Sequence, residues 1–245
     1  MSGLLLVFLI IYPSLHQAFR IAVDKRSSQD DKHFDTVVFA QEWPVTVCKF
    51  WMEGLEDQCV YPKQKNRWTV HGIWPRKAGV DYVNFCNTGW NLNPEEIKSL
   101  ETNLLQAWSG QFLGNTALTY VYWNHEWFKH GTCGVALEPL NSQSKYFSKA
   151  IEWNEKYSIA DMLDAANILP DDTKEYNPEV FVNAVKAKTG KSAMMGCFLI
   201  EGVVYVQELR ICFDKQFNLV DCDEPAVDKD CKSSKGVIFP ANALV

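Results

Sequence analysis

The sequence predicts an α+β fold: one disulfide-stabilised domain in which helices surround a central antiparallel sheet. Three observations carry that reading. Helix and strand patterns are mixed along the chain without the βαβ alternation of a parallel sheet. Two strand-like runs, Met194–Ile200 and Val203–Phe213, meet at Glu201-Gly202 as a hairpin. No Gly/Ser/Pro-rich run or repeat divides the 245 residues, and 47% are hydrophobic and 13% aromatic, enough for a single core.

Phe34 to Gln41 is β-branched and aromatic and reads as a strand. Asn93-Pro94-Glu95-Glu96 opens a helix with a cap, a first-turn proline and first-turn acids. That helix buries Ile97, Leu100, Leu104 and Trp108. Thr116 to Trp123 reads as a strand leading into a helix. Asn141 caps a helix to about Lys156, Ser158-x-x-Asp161 opens another, and Asn177-Pro178 begins one that stops at Gly190. After the hairpin, Leu219–Cys222 returns as a strand.

Leu4 to Ile11 is an apolar run closed by Tyr12-Pro13, too short to span a bilayer and suited to a secretory signal. Residues 1–18 are expected to be removed after Ala18. A polar leader, 19–33, then precedes the domain at 34–245, with Lys25-Arg26 a site for later trimming. The protein is expected outside the cell or in a lysosomal or other endomembrane compartment, without membrane attachment. The eight cysteines agree with export, include no Cys-x-x-Cys pair and so argue against a zinc ribbon. Their spacing does not select one pairing among about 105. No Asn-x-Ser/Thr sequon is present.

The net charge is −6, which argues against a high-affinity, non-specific nucleic-acid binder. Lys63, Lys65, Arg67, Arg76 and Lys77 nevertheless cluster, and local steering of an anion is compatible with the overall sign. Close by lies Trp68-Thr69-Val70-His71-Gly72-Ile73-Trp74-Pro75. A second segment, His125-Glu126-Trp127-Phe128-Lys129-His130-Gly131-Thr132-Cys133, completes a set holding three of the five histidines. Histidine accepts and donates protons near neutrality. On a helix, His125, Glu126, Lys129 and His130 share one face, presenting two imidazoles, an anion and a cation. Such a surface suits phosphate chemistry. The zinc-protease pattern His-Glu-x-x-His fails on spacing, because a fifth-residue histidine lies a further ~100° around an α-helix.

The two segments resemble the active-site motifs of the ribonuclease T2 family, with Ile73 where leucine is usual. Trp43-Pro44, Cys48 and Ile238-Phe239-Pro240 extend the similarity from about residue 34 to 240, most like the animal branch. The resemblance implies the same α+β fold and disulfides Cys48–Cys59, Cys86–Cys133, Cys197–Cys231 and Cys212–Cys222. It implies a metal-free, cofactor-free endoribonuclease acting on single-stranded RNA, giving a 2′,3′-cyclic phosphate and then a 3′-phosphate. In it His130 is the base, His71 the acid, His125 holds the phosphate, and Glu126 and Lys129 stabilise the pentacoordinate state. Trp74 and Tyr122 match base-stacking positions. Arg76 and Gln41 are the other substrate-binding candidates, yet Arg76 stands where the family often has an acid. Glu42 stands where glutamine often precedes Trp-Pro, so base preference does not transfer.

A monomer with no obligate protein partner is expected. A cationic His125, favoured by Glu126, implies an optimum at roughly pH 5–6. Two other classes stay open: a binding or signalling protein on the same scaffold, and a metal-dependent phosphodiesterase, for which no ligand set of plausible spacing exists.

Overall fold

Val37 to Ala40 are all fully buried, which is why that stretch is a strand of continuous apolar character covered on both faces. The computed structural model describes residues 33–51, 67–78, 82–109, 115–223, 226–233 and 235–242. The signal segment, nearly all of the leader, Cys59, Lys63 and Lys65 lie outside them.

The strand β1 (Thr36–Glu42) is followed by α1 (Pro44–Trp51), β2 (Thr69–Arg76), α2 (Pro94–Ile97), α3 (Glu101–Ala107), α4 (Thr116–Glu126) and α5 (Thr132–Gly134). Then come α6 (Gln143–Lys156), α7 (Ile159–Ala165), β3 (Asp171–Tyr176), α8 (Glu179–Thr189), β4 (Met194–Ile200), β5 (Val203–Phe213), β6 (Leu219–Val220) and β7 (Val237–Phe239). The described strands form one mixed sheet in the order β2-β1-β5-β7-β3, with β4 and β6 also pairing with β5. Among the strand–strand pairings all are antiparallel except β5 with β7, where Tyr205 stands opposite Ile238; Met195 also forms an isolated parallel bridge to Val227.

The helix α6 carries Tyr146, Phe147, Ala150 and Trp153 at helical spacing, and all four are buried. Trp153 stacks on Phe213 with ring centroids 4.0 Å apart and meets Phe39 edge-on at 5.6 Å. Tyr146 and Phe147 pack with Trp108, Trp123 and Trp127 into an aromatic layer behind β2. The Tyr146 hydroxyl donates to the Ile73 carbonyl at 3.1 Å and accepts from the Ile73 N–H at 3.4 Å. One buried side chain therefore latches α6 to the strand bearing the first histidine motif.

Several sequence expectations are corrected. Thr116 to Trp123 is helical, because Asn115 caps it by accepting from the Leu118 N–H and Thr119, Trp123 and Glu126 form one buried stripe. That pattern overrides the strand preference of its aromatic and β-branched residues. The helix from Asn93 is interrupted by a 3₁₀ turn at Lys98–Leu100, and Leu100 is only partly buried. Ser142, not Asn141, caps α6. The strands β2, β3 and β7 were not foreseen; β3 is largely polar and half-exposed, without apolar alternation. The starts of α7 and α8, the left-handed Gly190 at φ 71° and the β4–β5 hairpin match the sequence reading.

Disulfides join Cys86 to Cys133, Cys197 to Cys231 and Cys212 to Cys222, as the resemblance implied. Cys48 is disulfide-bonded too, while its expected partner Cys59 falls outside the described residues. The first bridge fixes the loop after β2 to α5.

Replacing Tyr146 by Phe strands both polar groups of Ile73 in an apolar layer. The expected cost is about 1–3 kcal/mol, read from the midpoint of urea unfolding.

Candidate active site

His71 is placed by a β-bulge. The β1–β2 register passes from Ala40 opposite Gly72 to Gln41 opposite Val70, so His71 has no partner in the ladder. Bulges re-aim a side chain in this way. The freed His71 carbonyl accepts from Trp108 Nε1 at 3.0 Å and from the Tyr122 hydroxyl at 3.1 Å, which anchors the bulge to α3 and α4. Its ring is a quarter exposed, and Nδ1 lies 2.5 Å from Glu208 Oε2 and 3.9 Å from Glu42 Oε2. Glu208 also pairs with Arg210, whose Nε donates to Oε1 at 2.6 Å.

The second motif leaves the α-helix at Trp127. Trp127–Gly131 forms a single π-helical turn between α4 and α5. The one-face arrangement expected for an unbroken helix is therefore modified, since His130 lies within this wider i→i+5 turn while His125 lies in the α-helix before it. Such turns are frequent at functional sites. Gly131 permits this one, because a Cβ there would overlap the ring of Trp127.

Trp74 joins the two motifs. It is buried, and its Nε1 donates to Glu126 Oε2 at 2.9 Å. Its ring lies edge-on to His71 at 4.8 Å and tilted against His130 at 5.4 Å, so the two imidazoles contact one indole. Tyr82 closes the group, edge-on to Trp74 at 5.0 Å and to His130 at 6.1 Å. Gly72 is required here by close approach: any Cβ would collide with both Trp74 Nε1 and Glu126 Oε2.

The imidazoles have opposite proton affinities. Burial would lower His71, but the Glu208 and Glu42 carboxylates outweigh it and hold the ring up to about 9. His130 is buried and is pushed well below its ordinary value by that burial, by Lys129 and by the other two histidines. Its Nδ1 has no hydrogen-bond partner among the described residues. His125 is lowered to about 4 by burial, then by Lys129 and His71. This removes the ground for a cationic His125 at pH 5–6: the Glu126 carboxylate is turned to Trp74, and His125 faces a lysine. Glu126 is itself raised by burial, partly offset by His71 and the Trp74 hydrogen bond. Burial would likewise raise Glu208, but Arg210 and His71 bring it down to about 2.

The structure thus brings His71, His125, Glu126, Lys129 and His130 within electrostatic reach of one another. The substrate-binding candidates fare differently. Tyr122 is half-buried and its hydroxyl serves the His71 carbonyl. Trp74 is 4% exposed, so it frames the site and offers no free face for a base to stack on. Gln41 is 1% exposed and donates to the Tyr157 carbonyl at 2.7 Å, an interior role. Arg76 is buried at the end of β2, bridged to Tyr82, and so leaves the steering run, whereas Arg67 and Lys77 stay partly exposed. Cys197, Asp228 and Cys231 lie close together, but both sulfurs are spent on a disulfide.

Sequence reasoning missed Glu208 and Arg210 and saw Glu42 only as a departure. The signal was present in β5, where Val204, Val206 and Glu208 are all buried. A carboxylate in an apolar register requires a cationic partner.

The model of the ribonuclease T2 family matches residues 34–222. Ribonuclease T2 of Sus scrofa is 30% identical over 78% of this chain and 90% of its own. Extracellular ribonuclease LE of Solanum lycopersicum is 29% identical over 78% of this chain and 81% of its own. The solved structure of ribonuclease MC1 from bitter gourd seeds superposes with a TM-score of 0.69 and 26% identity, covering 84% of this chain and 100% of that one.

Imidazole NMR tests these proton affinities directly. The His71 ring should hold both protons until the pH approaches about 9. His125 should still be neutral at pH 5, gaining its second proton only near 4. A His71 midpoint near its ordinary 6.5 would overturn the assignment.

Proposed function

The chain belongs to the ribonuclease T2 family and is an RNA-cleaving endoribonuclease, and we propose that it cuts single-stranded RNA by metal-free transphosphorylation between His71 and His130. The observation that carries this reading is the pair of imidazoles packed against the same indole, Trp74, one held up and the other pushed down in proton affinity. Chemistry that removes one proton while delivering another needs that division.

In this mechanism the ribose 2′-oxygen attacks the adjacent phosphorus as His130 takes its proton. The bond from phosphorus to the 5′-oxygen breaks, and His71 Nε2 supplies the proton to the departing oxygen. Nδ1 remains committed to Glu208, an acceptor that fixes which nitrogen faces the substrate. The products are a 2′,3′-cyclic phosphate and a 5′-hydroxyl. Water then opens the ring to a 3′-phosphate with the two histidines exchanging roles. His125, neutral, offers an N–H to a phosphate oxygen. Lys129 supplies the cation for charge that grows in the pentacoordinate state, and Glu126 keeps Trp74 in place.

Secretion as a monomer is part of the same proposal, with residues 34–245 as the catalytic domain. It is supported by the signal-like N-terminal segment and by an extracellular relative. No helix among the described residues is long and apolar enough to cross a membrane.

A DNA oligonucleotide with a single ribose, incubated with protein and excess chelator, should be cut only 3′ of that ribose, the first product carrying a cyclic phosphate by mass. Replacing His71 or His130 by Ala should lower kcat by about 10²–10⁴ with much smaller change in RNA affinity. Cutting at a deoxy linkage, a direct 5′-phosphate product, or dependence on added metal would refute the mechanism.

A further inference from the structure

On the two strands behind His71, Glu42 of β1 and Glu208 of β5 stand directly opposite each other in the antiparallel register. Both are buried, at 3% and 1% exposure. Like charges in directly opposed positions destabilise a sheet, and burial raises the cost. Glu208 is compensated on both oxygens, by His71 on Oε2 and Arg210 on Oε1. Glu42 has less: its Oε1 receives a long hydrogen bond from the Tyr122 hydroxyl at 3.5 Å, and its ion-pair partner among the described residues is His71, at 3.9 Å. A carboxylate so placed stabilises the sheet poorly but faces one imidazole.

We propose that Glu42 is a positioning residue for His71, a second carboxylate on the Nδ1 side through which the ring keeps the proton that it delivers from Nε2 as the pH rises. The inference rests on the ribonuclease reading above. The groups facing His71 are Glu42 from β1, Glu208 from β5 with Arg210 beyond it, and Tyr122, His125, Glu126 and His130 from α4 and its π turn, with Lys129 behind. Of the three carboxylates, Glu208 stays ionised throughout the working range, so it supplies a constant field. Burial raises Glu42 to about 7, with His71 opposing and the other carboxylates reinforcing. Glu42 therefore gains its charge over the pH range in which an ordinary histidine loses its own. Below that range Glu42 is neutral and the sheet is spared the facing anions; above it, Glu42 joins Glu208 in retaining the imidazolium.

The test is the pH dependence of kcat/KM for wild type and Glu42→Gln, with two substrates. The first is a diribonucleotide, whose alkoxide leaving group requires the proton. The second is a nucleoside 3′-(p-nitrophenyl phosphate), whose leaving group does not. With the diribonucleotide, Glu42→Gln should move the alkaline limb down by about one pH unit, the lower end of what an opposite charge at this range does. The gap between the profiles should narrow as the pH falls toward 5. With the ester no alkaline limb should appear in either protein. An unmoved limb, or one displaced equally with both substrates, overturns the proposal, because Glu42 would then act on folding or binding. Should Glu42→Gln not fold, the His71 ring resonances of the wild type decide: a second inflection as Glu42 titrates supports the proposal and a single one overturns it. Wild-type protein that cuts neither substrate overturns the ribonuclease reading and this inference together, whereas normal cleavage with an unmoved limb overturns this inference alone.

Discussion

The hydrogen bond from Trp74 Nε1 to Glu126 Oε2 crosses between β2 and the end of α4, and the geometry of the site depends on it. It fixes the indole that both His71 and His130 contact, at ring centroids 4.8 and 5.4 Å away. It also turns the Glu126 carboxylate away from His125, leaving that histidine to the Lys129 cation. The bond forms only because residue 72 lacks a side chain. Around it, the aromatic layer of Trp108, Trp123, Trp127 and Tyr146 is anchored by hydrogen bonds to backbone carbonyls, three of them from indole N–H groups. Buried indoles and phenols that find partners fix position as well as volume.

Two bulges extend the same logic into the sheet. One lies in β2 at His71; the other lies in β5, where the register with β4 shifts between Gly196 and Cys197 and Gln207 is left over. The Gln207 carbonyl accepts from the Trp43 N–H at 2.7 Å, just past the end of β1. The Trp43 indole in turn donates to the Pro240 carbonyl at 2.8 Å. Thus the Gln207 bulge beside Glu208 is closed by Trp43, which follows Glu42, and the His71 bulge by Trp108. Irregular backbone next to a site is stable only when its freed polar groups are satisfied elsewhere.

The two histidine motifs stood out because their residue types and spacing are rare, and three of the disulfides followed from resemblance. What could not be read was set by tertiary contact. Thr116 to Glu126 mixes β-branched and aromatic residues, and only the Asn115 cap and the buried Thr119, Trp123, Glu126 stripe distinguish helix from strand. Adjacency in sequence to Glu126 suggests a cationic His125, whereas burial and Lys129 lower its proton affinity. Glu126 turns its carboxylate to Trp74, while Lys129, in the π turn, acts on His125. Trp74, Gln41 and Arg76 stand at or beside base-binding positions of the resembled family, yet all three are buried. Their burial depends on the sheet neighbours of β1 and β2, which lie far along the chain.

A site that binds a polyanion yet contains three buried carboxylates, in a chain of net charge −6, works through depth. Glu42, Glu126 and Glu208 are each at most 3% exposed and lie behind the groups that solvent meets. His71 is a quarter exposed, and His125 and Lys129 are half-buried at the surface. An approaching phosphate therefore encounters N–H and ammonium donors first, while the anions act through them at a remove of one imidazole. Buried carboxylates attract protons to His71 in a low-dielectric setting where each interaction is strong. The same charges at the surface would repel the substrate and be screened by salt within about 10 Å. Burial thus separates two demands on one cluster: the back face holds the His71 proton tightly, and the front face meets solvent.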